Sequence, residues 1–238
     1  MDEAQVILDA IEHLKPPTVP TFALRSLQIV PGGYGEGDVL YGVPVPMLRK
    51  IAKEHRSVSL KTCEKLLQQS LHEARYTALV LLNEKFPKNP HDVLEIYLCN
   101  TKFINNWDLV DVSAPHIVGK SCLVTGNNNV ILNLADKENL LENRIAVVAT
   151  LPLIKSGQFI LTLQLCEHFL HRPHPLIHKA CGWMLREISK QDTESVLEFF
   201  RKHPDAPSVM RGYALEQIRK RGISIEKITV SLTNIKAR

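Results

Sequence analysis

Two tryptophans, one aspartate and a few cations stand where core packing alone would not put them. In the segment 175–190, Ile177, Ala180, Cys181, Met184 and Ile188 share one face at helical spacing, and that face must be the core side. Lys179, Trp183, Arg186 and Lys190 fall on the opposite face, within about 60° of one another. Three cations on one face suit phosphates, and an indole among them suits stacking on a sugar or base. The competing reading is that Trp183 packs against a neighbouring helix while the cations solvate the surface. In Asn105-Asn106-Trp107-Asp108-Leu109-Val110-Asp111, either asparagine is a good N-cap, and Trp107, Val110, Asp111, Ala114 and Val118 form one stripe. Asp111 thus sits one turn from Trp107 on a largely apolar face, where an unpaired carboxylate is costly. Pro115 should kink this helix and angle that face towards a cleft. Asp108 reads as a cap or a structural ion-pair partner.

Arg144 is misplaced in the same way, among Leu140, Leu141, Val148 and Leu151. It either pairs with a carboxylate such as Asp111 or points its planar fork at a phosphate. Arg49, Lys53 and Arg56, opposite Leu48, Ile51 and Ala52, make a second basic row. Two other clusters are set aside. His171, His174 and His178 are separated by Pro173 and Pro175 and have no Cys or Glu at ligand spacing, so no metal is expected. The glycines at 32, 33, 35 and 37 are not followed by Gly-Lys-Ser/Thr, so a nucleotide-binding loop is not expected either. No cofactor is implied.

The elements that must carry these residues are helical. Apolar residues recur at helical spacing nearly throughout, and strand-like alternation is almost absent. Helices are expected at 6–14, 22–30, 46–55, from Ser59 or Thr62 onwards, and at 71–86, 91–100, 106–118, 129–136 and 138–154. Further helices are expected at 157–170, 175–190, 193–201, 207–221 and 225–235. Arg75, Arg144 and Lys179 each interrupt an apolar register, at intervals of 69 and 35 residues. Such spacing suits stacked two-helix repeats of roughly 35–45 residues, an all-α solenoid with a concave basic groove. No linker divides the chain, so residues 1–238 read as one domain of HEAT-like repeats.

Composition narrows the setting. The 238 residues are 45% hydrophobic and 23% charged, an ordinary globular balance. Charges or prolines interrupt every apolar run before membrane-spanning length. The acidic, amphipathic start MDEAQVILDAIEHL does not read as a signal or transit peptide. Five scattered cysteines without CxxC suit a reducing compartment, so a cytoplasmic, nucleoid or nuclear protein is expected. Against 29 Lys+Arg stand 25 Asp+Glu, and a net charge of +4 is too small to name a partner. Only the placement of the charge is informative.

The quoted segments resemble the AlkD-like DNA alkylation repair family, HEAT-like α-solenoids that act as alkylpurine DNA glycosylases. The resemblance runs from about Gly35 to Glu216 and is carried by NWDLVD together with HKACGWMLRE, with support from HEARYTALVLLNEKF and ENRIAVVATLPLI. It implies that Asp111 is the catalytic carboxylate and that Trp107 and Trp183 contact the lesion-bearing sugar. It implies further that Arg144 contacts the DNA backbone and that Arg49 and Arg186 meet phosphates; Lys53, Lys179 and Lys190 extend those basic faces. The implied partner is duplex DNA carrying alkylated bases, bound by a monomer, with the base left stacked during cleavage. Two departures stand out: Ser208 and Gly212 occupy positions that carry arginine in many relatives, and Asn106 replaces a tryptophan of the founding type. Two other functions fit the same faces, a non-catalytic DNA-binding repeat protein that senses damage or structure, and a protein-binding scaffold.

Overall fold

A computed structural model of the chain describes residues Asp2–Ile223, so the helix expected at 225–235 lies outside the described residues. The chain divides into two compact units, Met1–Ser121 and Cys122–Arg238. Described residues form helices joined by turns and irregular segments; an isolated parallel bridge between Val39 and Leu71 is their β pairing.

The first unit contains α1 (Glu3–His13), α2 (Thr21–Ser26), α3 (Val45–Glu54), α4 (Leu60–Leu67), α5 (His72–Lys85), α6 (Pro90–Cys99) and α7 (Trp107–Ser113). Helix α5 is its centre, packed by α1, α3, α4, α6 and α7. From His72 to Leu79 every residue of α5 is buried, including His72, Glu73, Arg75 and Thr77. A helix enclosed on all sides must satisfy its polar side chains internally. Glu73 does so by accepting the backbone N–H groups of Tyr41, Gly42 and Val43, with Gly42 N at 2.6 Å. Thr77 donates its hydroxyl to the Glu73 carbonyl. The basic row on α3 is exposed as expected, with Leu48, Ile51 and Ala52 buried beneath it. The row is shorter than its spacing promised, because α3 ends at Glu54, before Arg56.

Two expected helices differ in extent. The one expected at 22–30 stops at Ser26, because Gln28 takes a positive φ of 52° and turns the chain. The one expected at 106–118 is α-helical only to Ser113, then widens into a π-helical turn over Pro115–Gly119. Proline has no N–H to continue the ladder, and the wider turn absorbs the defect through Gly119 N–H donating to the Ala114 carbonyl at 2.9 Å.

After α8 (Lys120–Thr125), the second unit contains α9 (Asn129–Ala135), α10 (Leu140–Val148), α11 (Leu151–Lys155), α12 (Ile160–His168), α13 (Pro175–Ser189), α14 (Thr193–Lys202) and α15 (Ser208–Lys220). Helices α10, α13 and α15 pack side by side, with α9, α12 and α14 against them as a second layer, the pairing of a helical repeat. The helix expected at 138–154 is broken into α10 and α11, since Pro152 cannot continue it and Thr150 folds its hydroxyl onto the Val147 carbonyl. The α13–α15 contact is close. A Cβ on Gly182 would stand 2.5 Å from the Met210 carbonyl oxygen, so only glycine admits this approach. On α13, Ile177, Ala180, Cys181, Met184 and Ile188 are all buried, as their spacing requires.

Candidate active site

The helix that carries Trp107 and Asp111 is short, and its start is fixed by tertiary contacts rather than by propensity. Asn106, fully buried, caps it: Oδ1 accepts the Trp107 N–H at 2.9 Å, and Nδ2 donates to the Leu27 carbonyl at 2.7 Å. The Trp107 indole N–H donates to the neighbouring carbonyl of Ser26 at 3.0 Å. The C-terminal end of α2, Ser26 with its cap Leu27, therefore clasps both residues. The glycine-rich loop belongs to the same clasp. A Cβ on Gly35 would lie 2.6 Å from the Leu27 carbonyl oxygen and 3.2 Å from Asn106 Nδ2. Its glycine composition serves close backbone packing, not a phosphate.

Beneath this start lies a buried ionic network. Asp108 accepts the Leu109 N–H through Oδ1 at 2.9 Å and meets His72 Nε2 through Oδ2 at 2.8 Å. The other ring nitrogen of His72 is 3.8 Å from Asp38, an ion-pair distance rather than a hydrogen bond. Asp38 in turn takes Arg75 at 2.6 Å and accepts both hydrogen bonds of the Asn105 amide at 3.0 and 3.1 Å. Arg75 closes the ring by donating to Asn105 Oδ1 at 2.8 Å. Two carboxylates and two cations balance here if His72 is protonated. Burial alone would lower the His72 pKa, but the hydrogen bond to Asp108 and the proximity of Asp38 push it up to about 9. Burial would raise Asp38; His72, Arg75 and Asn105 outweigh it and hold the carboxyl below its ordinary range. Asp108 thus takes the structural ion-pair role expected of it, with His72 as its partner.

Asp111, one turn beyond Trp107, is half-buried, as is Trp107 itself, while Val110, Ala114 and Val118 on the same stripe are buried. Its negative charge reaches Tyr97, a fully buried phenol pushed upward first by burial and then by Asp111. Tyr97 shares a hydrogen bond of 3.1 Å with Ser113, which ties the far end of α7 to α6. On α3, Arg49 is exposed and rests its Nε 3.3 Å from the Tyr76 hydroxyl, and Lys53 is exposed.

In the second unit, Arg144 is only 5% exposed and donates to the Leu176 carbonyl in the first turn of α13 at 2.7 Å. Trp183 is half-buried, and its indole N–H donates to Glu187 at 3.3 Å. Lys190 is held by both Glu187 oxygens, at 2.7 and 2.6 Å. Arg186 donates to Glu216 of α15 at 2.7 Å. Lys179 is exposed. The α13 face is therefore interleaved with acid, and its field is weaker than the cations alone suggest. Helical arithmetic contained one of these acids, since Glu187 is four residues from Trp183 and three from Lys190. The arrival of Glu216 from α15, and of Asp38 and Ser26 beside α7, had no local signal.

Among the described residues no three His, Cys, Asp or Glu side chains gather to hold a metal ion. His174, from the histidine cluster, is instead the N-cap of α13, its Nδ1 accepting the Leu176 N–H at 3.1 Å. Four of the five free cysteines are buried, with Cys99 exposed. No helix among the described residues is long and apolar enough to cross a membrane.

No curated protein matches the chain. Among solved structures, one described as a predicted DNA alkylation repair enzyme from Enterococcus faecalis is similar in fold. It has a TM-score of 0.65 at 18% identity, covering 77% of this chain and 90% of that one. The family model described as DNA alkylation repair enzyme matches residues 16–218, a span that takes in every candidate residue in both units. The chain belongs to the DNA alkylation repair enzyme family.

Proposed function

We propose that this chain is a monofunctional DNA glycosylase that excises cationic N-alkylated purines, of the 3-methyladenine and 7-methylguanine type, from duplex DNA. The observation that carries the reading is Asp111, a half-buried carboxylate one turn from Trp107 on a helix whose start is pinned from three sides. A purine alkylated at N3 or N7 carries a positive charge. When its glycosidic bond breaks, the electron pair leaves with the base, which departs neutral without protonation by an acid. The sugar becomes oxocarbenium-like, and a fixed carboxylate stabilises that charge. Asp111 then orients water towards the anomeric carbon and receives its proton as the new C–O bond forms. The electron-rich face of Trp107 adds cation–π stabilisation, on the order of 1–2 kcal/mol when desolvated.

Trp183 is assigned a sugar contact, and Arg49, Lys53, Lys179, Arg186 and Lys190 are assigned the phosphate backbone. Arg144, the most buried of the cations in this assignment, acts from its anchorage on the Leu176 carbonyl. Contacts to backbone and sugar allow the lesion to remain stacked, unlike the base extrusion that glycosylases ordinarily use. The protein acts as a monomer in the compartment that holds the DNA.

Base release from methylated duplex DNA by the wild type and by Asp111→Asn tests this. Release by the wild type well above the variant, with both binding DNA, supports the enzyme. No difference between them sinks it, and salt-dependent binding without release would leave a non-catalytic DNA-binding protein.

A further inference from the structure

We infer that Asp38 and His72, outside the tryptophan-containing motif, are positioning residues for the candidate catalytic helix. The inference rests on the glycosylase reading for its chemistry and on geometry alone for its structural half. Helix α7 has seven residues, too few to hold its own direction in water. Two consecutive contacts set that direction from below. His72 holds Asp108, the residue between Trp107 and Leu109, and Asp38 holds Asn105, two residues before Trp107. Both lead back to α5, which is buried on every side from His72 to Leu79 and packed by five other helices of the first unit. Asp38 follows the glycine-rich loop, and its backbone neighbour Val39 pairs with α5 through His72 N–H donating to the Val39 carbonyl at 2.8 Å. The ring Asp108–His72–Asp38–Arg75–Asn105 thus joins a loop, α5 and α7 with charge balanced inside it.

Neutralising Asp38 removes the anion that holds Asn105 and Arg75 together. The start of α7 then loses one of its anchors, and the Trp107 indole shifts against Ser26. A displacement of about 1 Å at a reacting group costs on the order of 100-fold in rate while leaving remote binding contacts untouched.

The test compares Asp38→Asn and His72→Gln with Asp192→Ala, which removes the N-cap of α14 in the second unit and serves as a destabilised control. In the native background, the kcat for base release is expected to fall about 10- to 100-fold in both network variants, with the dissociation constant for DNA changed by less than about threefold. In a Trp183→Phe background Trp107 is the single indole; its emission should move to the red, and its quenching by acrylamide should rise. Asp192→Ala should lower the melting temperature without moving that emission, and Asp38→Glu should recover part of the rate. Unmoved emission in both network variants, or an equal movement in Asp192→Ala, overturns the positioning role. If wild type releases no base while the emission moves as expected, the positioning role stands and the glycosylase chemistry fails. Should Asp38→Asn not fold, His72→Gln gives the same readouts.

Discussion

The indole N–H of Trp107 donates to the main-chain carbonyl of Ser26 at 3.0 Å, across 81 positions of sequence. The ring is thereby oriented by a main-chain carbonyl rather than by a side chain, and it cannot rotate without breaking that bond. Trp107→Phe removes that bond and reduces the aromatic face. Single-turnover base release should fall roughly tenfold, the equivalent of about 1.4 kcal/mol, while DNA affinity changes little. A loss confined to affinity would assign Trp107 to binding alone.

Protonated His72 couples stability to alkaline pH. Its folded pKa is raised to about 9 from an ordinary 6.5, so its contribution is fully present below pH 6.5 and disappears as pH climbs through 9. Urea unfolding should show stability declining across that window by at most about 3 kcal/mol, and His72→Gln should flatten the decline. Stability that rises over the same interval would contradict a charged His72.

Glu187 restrains the cationic face of α13 by holding Lys190 and the Trp183 indole. Glu187→Gln should tighten DNA binding and steepen its salt dependence by about one released counterion. Fluorescence anisotropy titrations at several salt concentrations measure both quantities. Weaker binding would show that Glu187 orients these groups rather than neutralising them.

Gly212 is exposed on α15 with open space around the position of a Cβ. Gly212→Arg should therefore stabilise the helix by up to about 1 kcal/mol through propensity alone. If α15 faces DNA, the same variant should also raise affinity, and adding Ser208→Arg should raise it again. Stabilisation without any gain in affinity would place α15 away from the duplex.

Gly182 is the opposite case. Its added Cβ would meet the Met210 carbonyl oxygen at 2.5 Å and Tyr213 Cβ at 2.7 Å, across the α13–α15 contact. Gly182→Ala should cost about 1–3 kcal/mol and lower the melting temperature by about 2–4 °C per kcal/mol. An unchanged melting temperature would mean that α15 moves aside without cost.

Period and punctuation in the sequence determine much of this molecule. The helix start at Pro175, the core stripe of α13 and the exposed row on α3 follow from local rules, because amphipathic spacing and capping act over one or two turns. The start near Ser59 or Thr62 is narrowed to Ser59 by the structure. The type of each candidate residue was equally legible, since a carboxylate at Asp111 and a guanidinium at Arg144 violate an apolar stripe wherever the helices go. Tertiary structure decided what those residues meet. The bond from Trp107 to Ser26, the ring through Asp38 and His72, and the restraint of Arg186 by Glu216 join positions 30 or more residues apart. Helical periodicity carries no information about such partners, because it fixes which face a side chain occupies but not which element is packed against that face. It also could not foresee the buried circumference of α5, because spacing shows Arg75 interrupting an apolar register but not that helices close around His72, Glu73 and Thr77 as well.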